Sequence, residues 1–249
     1  MKFIAIIPAR YASTRFPGKP LADIQGKPMI QHVYERTAKV FDHCCVATDD
    51  ERIARAVESF GGQAVMTSAE HRSGTDRCAE ALEKYSAATG MSFDVVINVQ
   101  GDEPFISEEH LTSLRAAFDD PGAHIATLAY PMKPGDDIFN PNSPKIALSR
   151  DGYALYFSRS VIPYIRGEAE AEWASHHVYL KHIGIYGYRT DILRAITRLP
   201  QGTLEKAESL EQLRWLENGY RIKVGLVSTE TVGIDTPADL ERLLEKMHD

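Results

Sequence analysis

Short apolar runs alternate with amphipathic, helix-spaced stretches through the first half of the chain, and that alternation leaves few folds open. Phe3–Ile7 reads as a strand, Met29–Val40 as a helix and Cys44–Ala47 as a strand. Asp49 or Asp50 can cap a helix over Glu51–Phe60, which Gly61-Gly62 ends. Ala64–Met66 is a third strand, and Ser73 or Thr75 can open a helix near Asp76–Ala88. Asp94–Val99 is a buried strand that stops at Gln100-Gly101-Asp102. Ser107 caps a helix to Phe118, and Ile125–Tyr130 is a further strand. Strands separated by helices predict βαβ units, hence an α/β fold with a mostly parallel sheet flanked by helices.

The pattern then changes. Pro131–Pro144 is proline-rich and reads as irregular connection. Ile146–Leu148, Ala154–Phe157 and Lys181–Tyr188 read as strands, and polar Arg166–His177 as a loop or flap. Glu205–Glu217 has helical spacing, with Gly219 placed to end it, and Ile222–Val227 is a last strand. Thr236-Pro237 opens the final helix with a cap and a proline at its first position. A chain of 249 residues suits one α/β domain with a sizeable insertion.

Charge and composition exclude some functions. The net charge of −7 lacks the basic face that nucleic-acid binding needs. No apolar run reaches the ~18 residues of a membrane span, and the opening run is too short for a signal peptide. Cys44, Cys45 and Cys78 have no metal-type spacing, so reduced, buried thiols in a cytoplasmic protein are expected.

The charge is uneven. The first 22 residues carry Lys2, Arg10, Arg15 and Lys19 and no acid. Three of these cations follow the first strand within Pro8–Pro20, beside Ser13, Thr14 and Gly18. Ligands of open α/β sheets gather at the carboxyl ends of strands. Forked guanidinium donors, an ammonium and accessible backbone N–H groups are what a triphosphate requires. Each cation alone favours a solvated basic loop; the three together favour phosphate. Neither G-x-x-x-x-G-K-[ST] nor G-x-G-x-x-G occurs, so the loop is neither a Walker loop nor a dinucleotide fingerprint.

Ile7-Pro-Ala-Arg-Tyr-Ala-Ser-Thr-Arg-Phe-Pro-Gly-Lys-Pro-Leu21 resembles the opening signature of the 3-deoxy-manno-octulosonate (KDO) cytidylyltransferases. The likeness continues through Ala47–Asp49, Ser73–Thr75, Asn98–Pro104, Tyr153–Arg159, His182–Tyr188, Leu210–Arg214 and Asp235–Pro237, in the family's order. Phe16 stands where leucine is common, and Arg166–Val178 matches no motif. The resemblance implies a Rossmann-like, GT-A-like nucleotidyltransferase fold. It would be a single domain over 1–249, with a nucleotide-binding core at about 1–130 and 220–249 and a smaller β-rich part at about 131–219 for sugar binding and dimerisation. It also implies transfer of CMP from CTP to the anomeric hydroxyl of KDO, with pyrophosphate released. That is the activation step for KDO's incorporation into lipopolysaccharide. CTP and KDO would be the small-molecule partners and the assembly a homodimer, with no nucleic acid or membrane involved.

Asp102 ends a buried strand, where a carboxylate can face a nucleotide. Mg²⁺ takes one or two carboxylates plus phosphate oxygens and water, so a second acid is expected. Asp235 is the candidate, and the family implies the same pair. Locally, Asp235 reads better as a helix-start acid and Asp102 can be read as a turn residue, and Glu103 is a weaker alternative ligand. By the resemblance, Pro8, Ala9, Arg10, Ser73 and Gly74 embrace the cytidine. Ser13, Thr14, Arg15 and Lys19 join Arg10 on the phosphates. Arg10, Arg15, Lys19, Asp102 and Asp235 carry the catalysis. Gln100, Arg159, His182, Tyr186, Glu211 and Gln212 are the sugar-acid candidates. Arg159 suits a carboxylate, His182 and Tyr186 share a strand face, and Glu208, Glu211 and Gln212 share a helix face. Without the family, a solvated helix face and a core histidine are the simpler readings. A CMP-sialate synthetase, a sugar-1-phosphate nucleotidyltransferase, a glycosyltransferase and a nucleotide-binding regulator remain open at this level. A dehydrogenase ranks below them.

Overall fold

The computed structural model describes residues 1–231, 233–234 and 236–248, with side chains through 245. Along the chain the strands are β1 (Phe3–Ala9), β2 (Asp23–Ile24), β3 (Lys27–Pro28), β4 (Cys44–Thr48), β5 (Ala64–Met66), β6 (Val95–Asn98), β7 (Ile125–Pro131), β8 (Lys145–Leu148), β9 (Ala154–Ser158), β10 (Leu180–Arg189) and β11 (Ile222–Leu226). The α-helices are α1 (Met29–Ala38), α2 (Glu51–Ser59), α3 (Gly74–Thr89), α4 (Glu108–Ala116), α5 (Trp173–His176), α6 (Thr190–Ile196), α7 (Thr203–Glu208), α8 (Gln212–Glu217) and α9 (Pro237–His248). They form two compact units. One comprises Met1–Leu111, Arg189–Thr197 and Thr231–Asp249; the other comprises Thr112–Tyr188 and Arg198–Glu230.

In the first unit β6, β1, β4 and β5 lie side by side, all parallel. Ile4, Ile6, Val46 and Ile97 are fully buried, so these strands read as continuous apolar runs, as parallel strands covered on both faces must. Register aligns Ala9 with Thr48 and Ile6 with Asn98. The loops after β1, β4 and β6 therefore leave the same edge of the sheet. The caps are those the sequence predicts. Asp50 accepts from Arg52 N (2.9 Å), Ser73 from Asp76 N (3.1 Å) and Ser107 from His110 N (3.3 Å). Thr236 and Asp239 close a reciprocal pair at the start of α9. Cys44, Cys45 and Cys78 are free and buried, and burial pushes the Cys45 thiol up to about 12. No helix is long and apolar enough to cross a membrane among the described residues.

In the second unit β11 runs parallel to β7, and β10 antiparallel to it. The β8–β9 hairpin adds to β10. Two sequence expectations need correction here. Glu205–Glu217 is not one helix: Ser209 adopts φ 51°, ψ 47° and separates α7 from α8. Nor is Arg166–His177 simply a loop. It contains a short 3₁₀ turn and α5, and Trp173 is buried with Ile138 and Tyr179. One aromatic anchor gives this otherwise polar segment a core of its own.

Candidate active site

At the carboxyl edge of the first unit's sheet is a cavity of about 250 Å³. The end of β1 supplies Pro8 and Ala9, the turn after it Arg10, Ser13, Arg15 and Lys19, the start of α3 Ser73 and Gly74, and the turn after β6 Gln100 and Asp102. Every nucleotide residue expected from the sequence lines it except Thr14. Gln100, expected on the sugar side, belongs to this lining too. His71, Arg72 and Arg77 also line it and were not expected. They flank the Ser73–Gly74 turn, but no local pattern marks an arginine as buried.

The turn after β1 is held in shape by its own backbone. Tyr11 O accepts from both Ser13 N and Gly18 N (3.0 Å each), and the Arg52 guanidinium lies 3.3 Å over the Tyr11 ring. Pro8 is wedged between two glycines. A Cβ on Gly101 would stand 2.9 Å from Pro8 O, and one on Gly74 3.2 Å from Pro8 Cγ. Any larger residue there would push the turn out of the cavity. Phe16 packs on the buried cluster of Ile24, Met29 and Ile234, which Phe105 and Leu240 also touch.

Lys19 Nζ donates to Asp102 Oδ2 (2.7 Å) and to Ile234 O (2.9 Å), and Ile234 N donates to Asp102 O (3.0 Å). The chain at Ile234 is thus tied to both Lys19 and Asp102. Asp235 itself lies outside the described residues. Among those residues no group of three or more metal-ligating side chains occurs. Magnesium does not need one, since a single carboxylate with phosphate oxygens and water suffices. Asp102 already holds a cation, the Lys19 ammonium, so its environment suits positive charge.

The opposite wall is braced by Glu80. Burial pushes this carboxyl up, but Lys84, Ser68 N–H and His71 together hold it down to about 2. The contact with His71 fixes the segment just ahead of Ser73.

The second unit gathers a separate polar-aromatic cluster. His182 packs edge-on to Phe157 (5.1 Å) and tilted against Tyr186 (5.4 Å), and Tyr186 packs edge-on to Trp215 (5.1 Å). Rings four residues apart on a regular strand could not come this close. The register of β10 on β7 shifts by two residues between Ile183 and Tyr186, which shortens the strand and keeps both rings on one face. Thr127 Oγ1 fills that bulge, within hydrogen-bond distance of Ile183 O, Ile185 O and His182 Nε2. A hydroxyl has one proton, and either carbonyl can accept it. His182 then donates from Nε2–H. Burial pushes His182 down to about 3, so it is neutral and a poor base. Gln212 is buried, and its Nε2 and the Trp215 Nε1 have no hydrogen-bond partner among the described residues. Glu211 faces Arg214 at 3.7 Å. Arg159 is held by backbone carbonyls. Its guanidinium donates to the carbonyls of Glu208 (2.6 Å), Pro141 (2.9 Å) and Ser209 (3.4 Å), leaving two N–H groups of its five.

A family model described as "Cytidylyltransferase" matches residues 4–222. A curated relative from Parabacteroides distasonis, named 3-deoxy-manno-octulosonate cytidylyltransferase, is 60% identical over 98% of this chain and 97% of its own. This chain belongs to that family. A relative of the same name from Phocaeicola vulgatus is 58% identical, covering 97% of this chain and 96% of its own. A solved CMP-2-keto-3-deoxy-manno-octonic acid synthetase in complex with CTP superimposes with a TM-score of 0.89. It shares 45% identity, over 100% of this chain and 99% of that one. The expected fold is therefore the observed one: a mixed, mostly parallel sheet flanked by helices, on the nucleotidyltransferase plan.

Proposed function

We propose that this chain transfers CMP from CTP to the anomeric hydroxyl of KDO and releases pyrophosphate, supplying the activated sugar for lipopolysaccharide. The observation that carries the reading is the cavity where Arg10, Arg15 and Lys19 meet Asp102, with Lys19 bound to Asp102. In this mechanism the anomeric O–H attacks the α-phosphorus in line, the bond to the β-phosphate oxygen breaks, and the proton passes to solvent. Arg10, Arg15 and Lys19 hold the β- and γ-phosphates and take up the charge of the leaving group. Ser73 and Gly74 line the base end. The Tyr186 hydroxyl, the open donors of Gln212 and Arg159 and the neutral ring of His182 suit a polyol acid. No side chain is assigned as general base.

Asp102, with Asp235, would hold Mg²⁺. When bound, the ion polarises the α-phosphate and lowers the pKa of the attacking hydroxyl. Lys19 and Asp102 pair with each other. The ammonium occupies the carboxylate that would take a divalent cation, and the carboxylate occupies the ammonium that would take phosphate. A cytoplasmic, homodimeric enzyme is part of the same reading. Reduced thiols support the first and the exposed apolar side chains of the second unit support the second.

The test is pyrophosphate release with each of the four ribonucleoside triphosphates, with and without KDO, after chelation and after magnesium is restored. Only CTP with KDO and magnesium should turn over. Asp102→Ala should lose at least about 100-fold in kcat at saturating magnesium. A loss of only a few-fold would overturn the metal assignment.

A further inference from the structure

Arg77 is the one charged residue lining the cavity that is itself buried, at 3% exposure, among the described residues. Its guanidinium donates from Nη1 to Thr67 Oγ1 (2.6 Å) and from Nη2 to Asp49 Oδ2 (3.2 Å). Asp49 follows β4 and Thr67 follows β5. Thr67 is bound twice to Thr48 O, through its amide (2.8 Å) and its hydroxyl (3.2 Å). The hydroxyl therefore donates to the strand end and accepts from the arginine. One turn earlier on the same helix stands Ser73, whose carbonyl accepts from Arg77 N (3.3 Å) and whose Oγ caps Asp76 N. Arg77 thus fastens the first turn of α3 to the ends of two strands.

That turn has no slack. Gly74 rests against Pro8 so closely that even a methyl group would be crowded, at 3.2 Å. A small tilt of α3 would change the width of the slot between Ser73–Gly74 and Pro8–Ala9. A pyrimidine edge read by backbone groups depends on that width. The phosphate cations belong to a different turn and are not held by Arg77.

We infer that buried Arg77, paired with Asp49 and seated on Thr67, positions the Ser73–Gly74 turn and thereby sets the selectivity for cytosine. The inference rests on the assignment of CTP as substrate and adds a positioning role for residues that do not touch the reacting atoms. Arginine is required because its fork spans two acceptors, and a lysine ammonium cannot hold both in the same geometry. An ion pair that contributes little net stability can still fix one arrangement.

The experiment reads equilibrium binding of CTP, UTP and inorganic pyrophosphate to the full chain by calorimetry, for wild type, Arg77→Lys and Thr67→Val. Thr67→Val is nearly isosteric and guards against an Arg77 variant that fails to fold. Both variants should bind CTP at least about tenfold more weakly and lose most of the preference for CTP over UTP. Pyrophosphate affinity should stay within about twofold, because the phosphate turn is intact. Parallel weakening of CTP and pyrophosphate would mean a general structural defect and overturn the inference. So would folded variants with wild-type nucleotide preference, or a wild type that does not prefer CTP to UTP. Turnover of the wild type with KDO is read separately, and its absence would sink the proposed reaction without touching this result.

Discussion

At the scale of single residues, the sequence displays charge but not burial. Arg10, Arg15 and Lys19 were legible because they crowd one turn with no acid nearby. Arg77 and Glu103 were not, since nothing local says that a charged side chain will be enclosed. Glu103 is buried, with Oε1 accepting from the Thr231 hydroxyl (3.2 Å) and Oε2 unpartnered among the described residues. Burial raises its pKa from 4.5 to about 7, the neighbouring Asp102 charge adds to this, and Thr231 opposes it. Below pH 4.5 both folded and unfolded chains carry the proton. Between 4.5 and 7 only the folded chain keeps it, so stability falls as pH rises through that window and stays lower above it. For the metal-free protein the loss is about 3 kcal/mol. Glu103→Gln has no such proton to lose. Urea unfolding at a series of pH values should show the wild-type midpoint dropping between pH 4.5 and 8 relative to the variant. Superimposable profiles would show that Glu103 is solvated.

At the scale of elements, helix and strand periods were read well wherever one partner decided the face. They failed where two elements decide jointly. Residues 205–217 keep helical spacing throughout, yet the chain turns at Ser209. The reason lies across the break. Arg214 of α8 grips Glu205 of α7 with two bonds, 2.8 and 2.6 Å, and Glu217 accepts from Thr203 N and Leu204 N at the start of α7. Neither contact can form in one straight helix. The turn also separates residues expected on a shared face. Glu208 accepts from Ser158 and from Arg159 N, whereas Gln212 is buried in α8. Arg214→Met should cost about 3 kcal/mol in chemical denaturation, because it strands a buried carboxylate. It should also raise KM for KDO while leaving CTP binding unchanged, since the first unit holds the nucleotide cavity. Wild-type stability in that variant would mean that the two short helices are held apart by something other than this pair.

At the scale of the whole molecule, the alternation of strand and helix was enough for a parallel sheet but not for its order β6-β1-β4-β5, because the step from β5 to β6 passes over β4 and β1 instead of to a neighbour. The two-unit division was less legible. It places residues 189–197 and 231–249 with the first unit, a pairing by contact that composition does not mark. Surface chemistry is also unequal between the units. Among the described residues, every large exposed apolar side chain other than methionine belongs to the second unit: Phe139, Leu155, Tyr164, Val178, Leu204 and Leu226. Leu155 is 63% exposed and Tyr164 70%. The segment Arg166–Val178, which matched no motif, ends within this set. Exposed apolar surface is worth about 25 cal/mol per Å² once covered, and a second copy of the same face is the simplest cover. Sedimentation equilibrium at micromolar concentration should therefore give twice the chain mass. Leu155→Glu with Tyr164→Glu should give the single mass, because burying two carboxylates at a self-complementary face opposes association. A wild type that sediments as one chain would leave these side chains as ordinary surface and remove the dimer from the proposal.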